Sequence, residues 1–155
     1  MINELIKIFD RDLDRLKNEI DDFSNEENLW ITKGNINNPA GNLCMHLLGN
    51  LRTYIGKNIG HQQYDRDRVA EFNARHIPKQ KLIADIEETK TIILNSLANM
   101  NEGDLNKLYV ENVLGYEMTN TFFLIHLTAH FSYHLGQINY LRRILEPGPI
   151  FNDKS

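Results

Sequence analysis

Three histidines stand four residues apart in "HLTAHFSYHLGQI", residues 126–138, a stretch otherwise too apolar for a solvated face. At about 100° per residue, positions four apart in a helix share a face and lie one turn along from each other. His130 and His134 can therefore converge on one ion from a rigid scaffold, with His126 a turn earlier. Imidazole nitrogen suits Zn, Ni, Cu or Fe, and a catalytic site typically takes three protein ligands and keeps a position open. A third ligand has to come from another element. His46, in "NLCMHLLGN", lies beside the apolar positions Leu43 and Leu47 and is the candidate. The expected metal ligands are thus His46, His130 and His134, and the expected ion is Zn or Ni.

Asn42, His46 and Asn50 form a second four-residue ladder. Asn42 and Asn50 are candidates to hydrogen-bond an imidazole or a bound water, work that metal sites require of the groups behind the ligands. Gln137, three residues after His134, is a candidate for the same role, and so is His126. The plain alternative for each histidine is a core residue satisfied by a carbonyl or a tyrosine. Two on one helix and one on another favour a metal, whereas His126 alone favours packing. His61 and His76 lie in polar links and read as solvated.

Rival chemistries lack their residues. The chain has no Glu-x-x-His pair of the di-iron kind, no HExxH, no Gly-rich phosphate loop and no GxSxG turn. A haem held by two histidines stays open, although CxxCH is absent. Cys44, two residues before His46, points to a different side of its helix and reads as a small buried side chain. Tyr133 lies about 100° off the ligand face. No general base can be named. Arg52, Arg142 and Arg143 read as surface residues first and as partners for a carboxylate second.

Four helices are expected to position these groups. Over about 2–24, Ile2, Leu5, Ile6, Phe9, Leu13, Leu16, Ile20 and Phe23 mark one face, with Asp10, Asp12, Asp14, Arg15 and Lys17 filling much of the outside. A second helix opens near Pro39 and runs to about 59, its stripe being Leu43, Leu47, Leu51 and either Tyr54 or Ile55. The third, about 78–100, follows Pro78 and carries Leu82, Ile86, Thr89, Ile93, Leu97 and Met100. The fourth, about 119–145, is capped by Thr119 or Asn120 and stopped by "EPGP". The links are a long Asn- and Gly-rich connection, a polar crossover around 60–77, and an irregular stretch with an extended piece near Leu108–Val110. This pattern is all-α, a four-helix bundle in a single domain spanning 1–155. The last helix is apolar on most sides, which suits a central helix or one that meets a second subunit.

A chain of 155 residues is long enough to bury one good core, and its 41% hydrophobic and 25% charged residues are ordinary for a globular protein. A net charge of −4 and scattered basic residues argue against nucleic acid. The start lacks the pattern of a signal peptide, no segment is long enough to span a membrane, and one cysteine excludes an internal disulfide. A cytoplasmic protein is expected.

These residues resemble the DinB superfamily, bacterial four-helix proteins with a histidine-triad metal site. The resemblance is carried by "HLLGNLRTYIG" (46–56), "RDRVAEF" (66–72) and "HFSYHLGQI" (130–138), in that order, and extends over nearly the whole chain as an architecture. The family pattern implies one ligand on the second helix and an H-x3-H pair before "GQI". On this sequence those are His46, His130 and His134, while His126 falls outside the pattern. Characterised relatives include S-transferases and isomerases that use a low-molecular-weight thiol. The resemblance therefore implies a metal-dependent S-transferase acting on a small-molecule substrate, with a homodimer as the common assembly. Metal-dependent hydrolysis is one alternative, and a non-enzymatic, stress-related binding bundle is the other.

Overall fold

The structure, a computed structural model, describes residues 1–146 and Gly148. It is all-α, as expected, and among the described residues it contains no strand. Helix α1 spans Ile2–Asp21, α2 Ala40–Leu51, α3 Arg68–Asn73, α4 Lys79–Ala98 and α5 Asn120–Leu145. Short 3-10 turns at Glu26–Trp30 and Glu102–Asn106 punctuate the links. The four long helices are those the apolar spacing predicts; α3 forms inside what reads as a polar crossover. The extended piece near Leu108 is one antiparallel bridge between Leu108 and Thr119. The stop expected from "EPGP" falls partly on Pro147 and Pro149, outside the described residues.

The caps explain where the helices begin. Thr119 accepts a hydrogen bond from the Phe122 N–H at 3.2 Å, and the Asp67 carboxylate accepts from Ala70 N–H at 2.9 Å. Pro39 and Pro78 stand in extended conformation immediately before α2 and α4, where a missing N–H costs nothing.

Helix α1 packs chiefly against α4, and α5 packs against α1 and α2. Phe9, Leu13, Leu16 and Ile20 of α1 meet Leu82, Ile86, Ile93 and Leu97 of α4 in one apolar core. The most enclosed helix is α2, buried at every position except Met45. Helix α5, whose breadth suits a central helix or one that meets a second subunit, leaves Phe122, Ile125, Tyr133, Tyr140 and Ile144 exposed. Asp12, expected on the outside of α1, is buried, with Arg11 Nε at 2.7 Å and Arg15 Nη1 at 3.4 Å from its carboxylate. Two guanidiniums offset its desolvation, and apolar periodicity cannot register that.

The second helix does not keep one pitch. At Arg52–Lys57 it widens into a π-helical turn, with Asn58 N–H donating to Thr53 O at 3.0 Å and Gly60 N–H to Ile55 O at 2.8 Å. Tyr54 and Ile55, adjacent on this turn, have separate tasks. Ile55 is fully buried in the core, and Tyr54 faces a cavity beside the histidines. Arg52 is held to α4, its Nε donating to Thr89 Oγ1 at 2.7 Å and its Nη2 to Glu88 Oε2 at 2.9 Å.

Candidate metal centre

His46 is buried on α2, and His130 and His134 are half-buried on the facing side of α5. One ring nitrogen from each lies within 4.8 Å of the other two, and His46 Nε2 is 3.4 Å from His130 Nε2. Two nitrogens bound at about 2.0–2.1 Å to one tetrahedral ion stand about 3.4 Å apart, so this pair has the spacing that zinc coordination requires. The three rings meet edge to face, with centroids 4.6–5.3 Å apart.

Hydrogen bonds decide which nitrogen each ring presents. A carboxylate can only accept, so His46 Nδ1–H donates to Glu71 Oε2 at 3.1 Å, which leaves Nε2 as the nitrogen turned toward His130. Likewise His134 Nδ1–H donates to Gln137 Oε1 at 2.7 Å. Gln137 thus stands where the sequence suggests, behind the His134 ring. Arg66 grips Glu71 through Nε at 2.6 Å and Nη2 at 2.8 Å. Its Nη2 also lies 3.3 Å from His46 Nδ1, but two donors cannot bond, so the guanidinium acts on the ring only through the carboxylate.

Glu71 and Arg66 are the residues that histidine spacing misses. Glu71 sits on α3, only 4% exposed, in a link whose charges otherwise read as solvated. The glycine at position 49 makes room for it: a Cβ there would fall 2.0 Å from Glu71 Oε1. Asn42 hydrogen-bonds no imidazole. Its Nδ2 donates to Glu71 O at 2.9 Å and Ala74 O at 3.0 Å, tying α3 to α2. Asn50 bonds no imidazole either, and its amide faces the cavity. His126 stacks on Phe123 and, at 6.2 Å between centroids, on His130.

The electrostatics favour neutral imidazoles. Desolvation, then repulsion from His134, His46, His126 and Arg66, brings His130 down to about 4. Desolvation also lowers His134, against the opposing hydrogen bond of Gln137. Burial raises Glu71, but the bonds from Arg66 and His46 outweigh it, so the carboxyl lies below its usual range and stays ionised. Neutral rings with presented lone pairs are the form a metal needs.

The remaining candidates are engaged elsewhere. Burial pushes the enclosed Cys44 thiol up and leaves it inert. Arg142 pairs with Glu19 at 2.8 Å. His61 and His76 are exposed, in left-handed backbone at φ 54° and 58°. Tyr133 is exposed, its ring edge-on to His134 at 5.1 Å.

A cavity of about 190 Å³ opens beside His46 and His130. A larger hollow, about 370 Å³, lies across Gln137 against Leu43 and Tyr140, but no histidine, carboxylate or cation lines it.

Residues 1–149 match the family described as "Protein of unknown function (DUF1572)". The chain belongs to that family, within the DinB-like clan. The DinB resemblance carried by the three sequence segments is thereby borne out. No curated protein matches this member of the family. Its fold is similar to the crystal structure of a DinB-like protein from Bacillus cereus ATCC 10987. The TM-score is 0.66 at 16% identity, over 86% of this chain and 85% of the other. The DinB-like fold and the three-histidine cluster together are compatible with metal binding.

Proposed function

We propose that this protein is a divalent-metal-dependent enzyme of the thiol-transfer type. The observation that carries the reading is the triad: three ring nitrogens gathered within 4.8 Å, two of the rings already committed through Nδ1 to fixed acceptors. His46, His130 and His134 would hold the ion, with zinc or nickel the expected metal. When bound, a divalent ion lowers the pKa of a thiol or water at an open position and so supplies a nucleophile at neutral pH. Glu71, itself clamped by Arg66, orients His46, and Gln137 orients His134. Such groups behind the ligands commonly contribute about 10–100-fold in metal affinity.

The adjoining cavity favours an enzyme over a merely structural metal bundle, since structural zinc is closed by four protein ligands. A hydrolase built on the same triad would differ in the nucleophile and in the substrate admitted. Among the described residues no helix is long and apolar enough to cross a membrane. The cytoplasm is our proposed compartment, consistent with one buried, unpaired cysteine.

Metal analysis of the purified protein is the first test. The reading requires about one zinc or nickel per chain, lost in each of His46→Ala, His130→Ala and His134→Ala and retained in His61→Ala and His76→Ala. Equal loss in His126→Ala would place the site one helical turn away. Retention in all variants would reduce the cluster to core packing. A screen of low-molecular-weight thiols against an electrophile, compared with ester hydrolysis, then separates transferase from hydrolase.

A further inference from the structure

The cavity beside the triad has a chemical character of its own. His46 and His130 line part of it; the Tyr54 ring and Val113, both partly exposed, add apolar surface beside the enclosed Phe123 and Leu127. No carboxylate lines it. Three polar side chains on its surface make no hydrogen bond among the described residues: Arg68, Asn50 and His126.

Asn50 is the telling one. The residue is only 8% exposed, yet its carboxamide has no protein partner. No fully enclosed side-chain polar atom lacks a partner among the described residues, so the Asn50 amide reaches solvent, and the cavity is the space it lines. Buried amides are normally bonded, and one left open toward a cavity suits a ligand or ordered water. Arg68 differs from every other arginine near the site. Arg66 is bound to Glu71 and Arg52 to Glu88 and Thr89, whereas Arg68 forms no ion pair among the described residues. Its neighbour Asp67 accepts from the Ala70 N–H.

We infer that this cavity binds a small organic carboxylate, its anionic end at Arg68 and the Asn50 amide, and its apolar body along the Tyr54 ring and Val113. A guanidinium offers a planar fork to a carboxylate, and an amide N–H adds a neutral donor beside it. The apolar wall discriminates against inorganic anions, which have nothing to bury there. The inference rests on the metal reading only for direction: the far end of the ligand points at His46 and His130. It narrows the proposed substrates to acids, including thiols that carry a carboxylate.

The test uses the full chain, labelled with nitrogen-15, with and without zinc. It is titrated with 4-methylpentanoate and, separately, with 4-methylpentan-1-ol, which has the same apolar body and no charge. The acid should move the Arg68 Nε–H and Asn50 side-chain signals and bind at least about tenfold more tightly than the alcohol. Arg68→Ala, an exposed change that leaves the core intact, should bring the acid down to the level of the alcohol. Equal affinity for the two probes overturns the inference. So does a preference for the acid that survives Arg68→Ala, because the carboxylate then sits elsewhere. Zinc uptake is measured on the same samples. A chain that takes no zinc but keeps the preference defeats the metal reading alone, and one that takes zinc without the preference defeats the cavity assignment alone.

Discussion

Glu71 reaches His46 because position 49 has no side chain, and this makes a sharp experiment. In Gly49→Ala the new Cβ would fall 2.0 Å from Glu71 Oε1, so the carboxylate must leave its place. The expected result is an intact helical spectrum with metal affinity reduced about 10–100-fold, similar to Glu71→Gln. Unchanged affinity in a competition titration would mean that the carboxylate has no hold on the metal ligand. His130 gives a second prediction, in pH. Its folded pKa of about 4 lies below its ordinary value, so between those limits the unfolded chain binds the extra proton. The stabilisation is therefore complete above pH ~6.5 and is lost as pH falls toward 4. Urea titrations of the metal-free protein at pH 7 and pH 4.5 should show a larger loss for the parent chain than for His130→Gln; equal losses would refute the shift. The triad was legible in the sequence because four-residue spacing is visible without a fold. Glu71 and Arg66 were not, since an acid in a polar link reads as solvated until the link is seen folded against α2. The one available hint was the large apolar Phe72 directly after it, which gives the link something to bury. Asn42 was singled out correctly as a polar group on a buried face. Its partners are backbone carbonyls in and just after α3, a helix that spacing does not reveal.

Among the elements, the π-helical turn at Arg52–Lys57 has the clearest effect on the site. Two adjacent side chains on it divide their work: Tyr54 lines the cavity and Ile55 fills the core. Just past the turn lies Gly60, whose N–H donates back to Ile55 O; a Cβ there would stand 2.0 Å from Ser96 Oγ, 2.6 Å from Ser96 Cβ and 2.8 Å from Gly56 O. Gly60→Ala should therefore destabilise the protein by about 1–3 kcal/mol in chemical denaturation, the range for overpacking. A change of a few tenths would show that α4 yields easily. The apolar stripes of α1, α2, α4 and α5 gave the bundle from sequence alone, because each helix needs one face buried and the period of that face is fixed by helix geometry. The π turn escaped notice because it changes hydrogen bonding without interrupting the apolar run. Its trace in the sequence was the ambiguity between two adjacent residues for a single buried position.

At the scale of the whole molecule, the outer face of α5 remains without a partner. Phe122, Ile125, Tyr133, Tyr140 and Ile144 recur along it at helical spacing, with Ala129 and Gly136 between them, while the charged outside of α1 offers nothing similar. We propose a homodimer through this face: antiparallel pairing centred between Ser132 and Tyr133 sets Ile125 against Tyr140 and Ala129 against Gly136 of the second copy. Sedimentation at micromolar concentration should give a dimer, and Ile125→Glu with Tyr140→Glu should give a folded monomer. A parent chain that is strictly monomeric would end the idea. One feature of the site also bears on how the protein is made. His46 and His130 are 84 residues apart, and both α5 histidines of the cluster belong to the last long helix. A chain emerging from the ribosome holds one imidazole of the three for most of its synthesis, too few to compete for a scarce ion. Under the metal reading, capture waits for the final helix and then closes a long loop, so that loading and completion of the fold become one event. A chain cut short before His130 would be left unable to acquire metal, however well its earlier helices collapse.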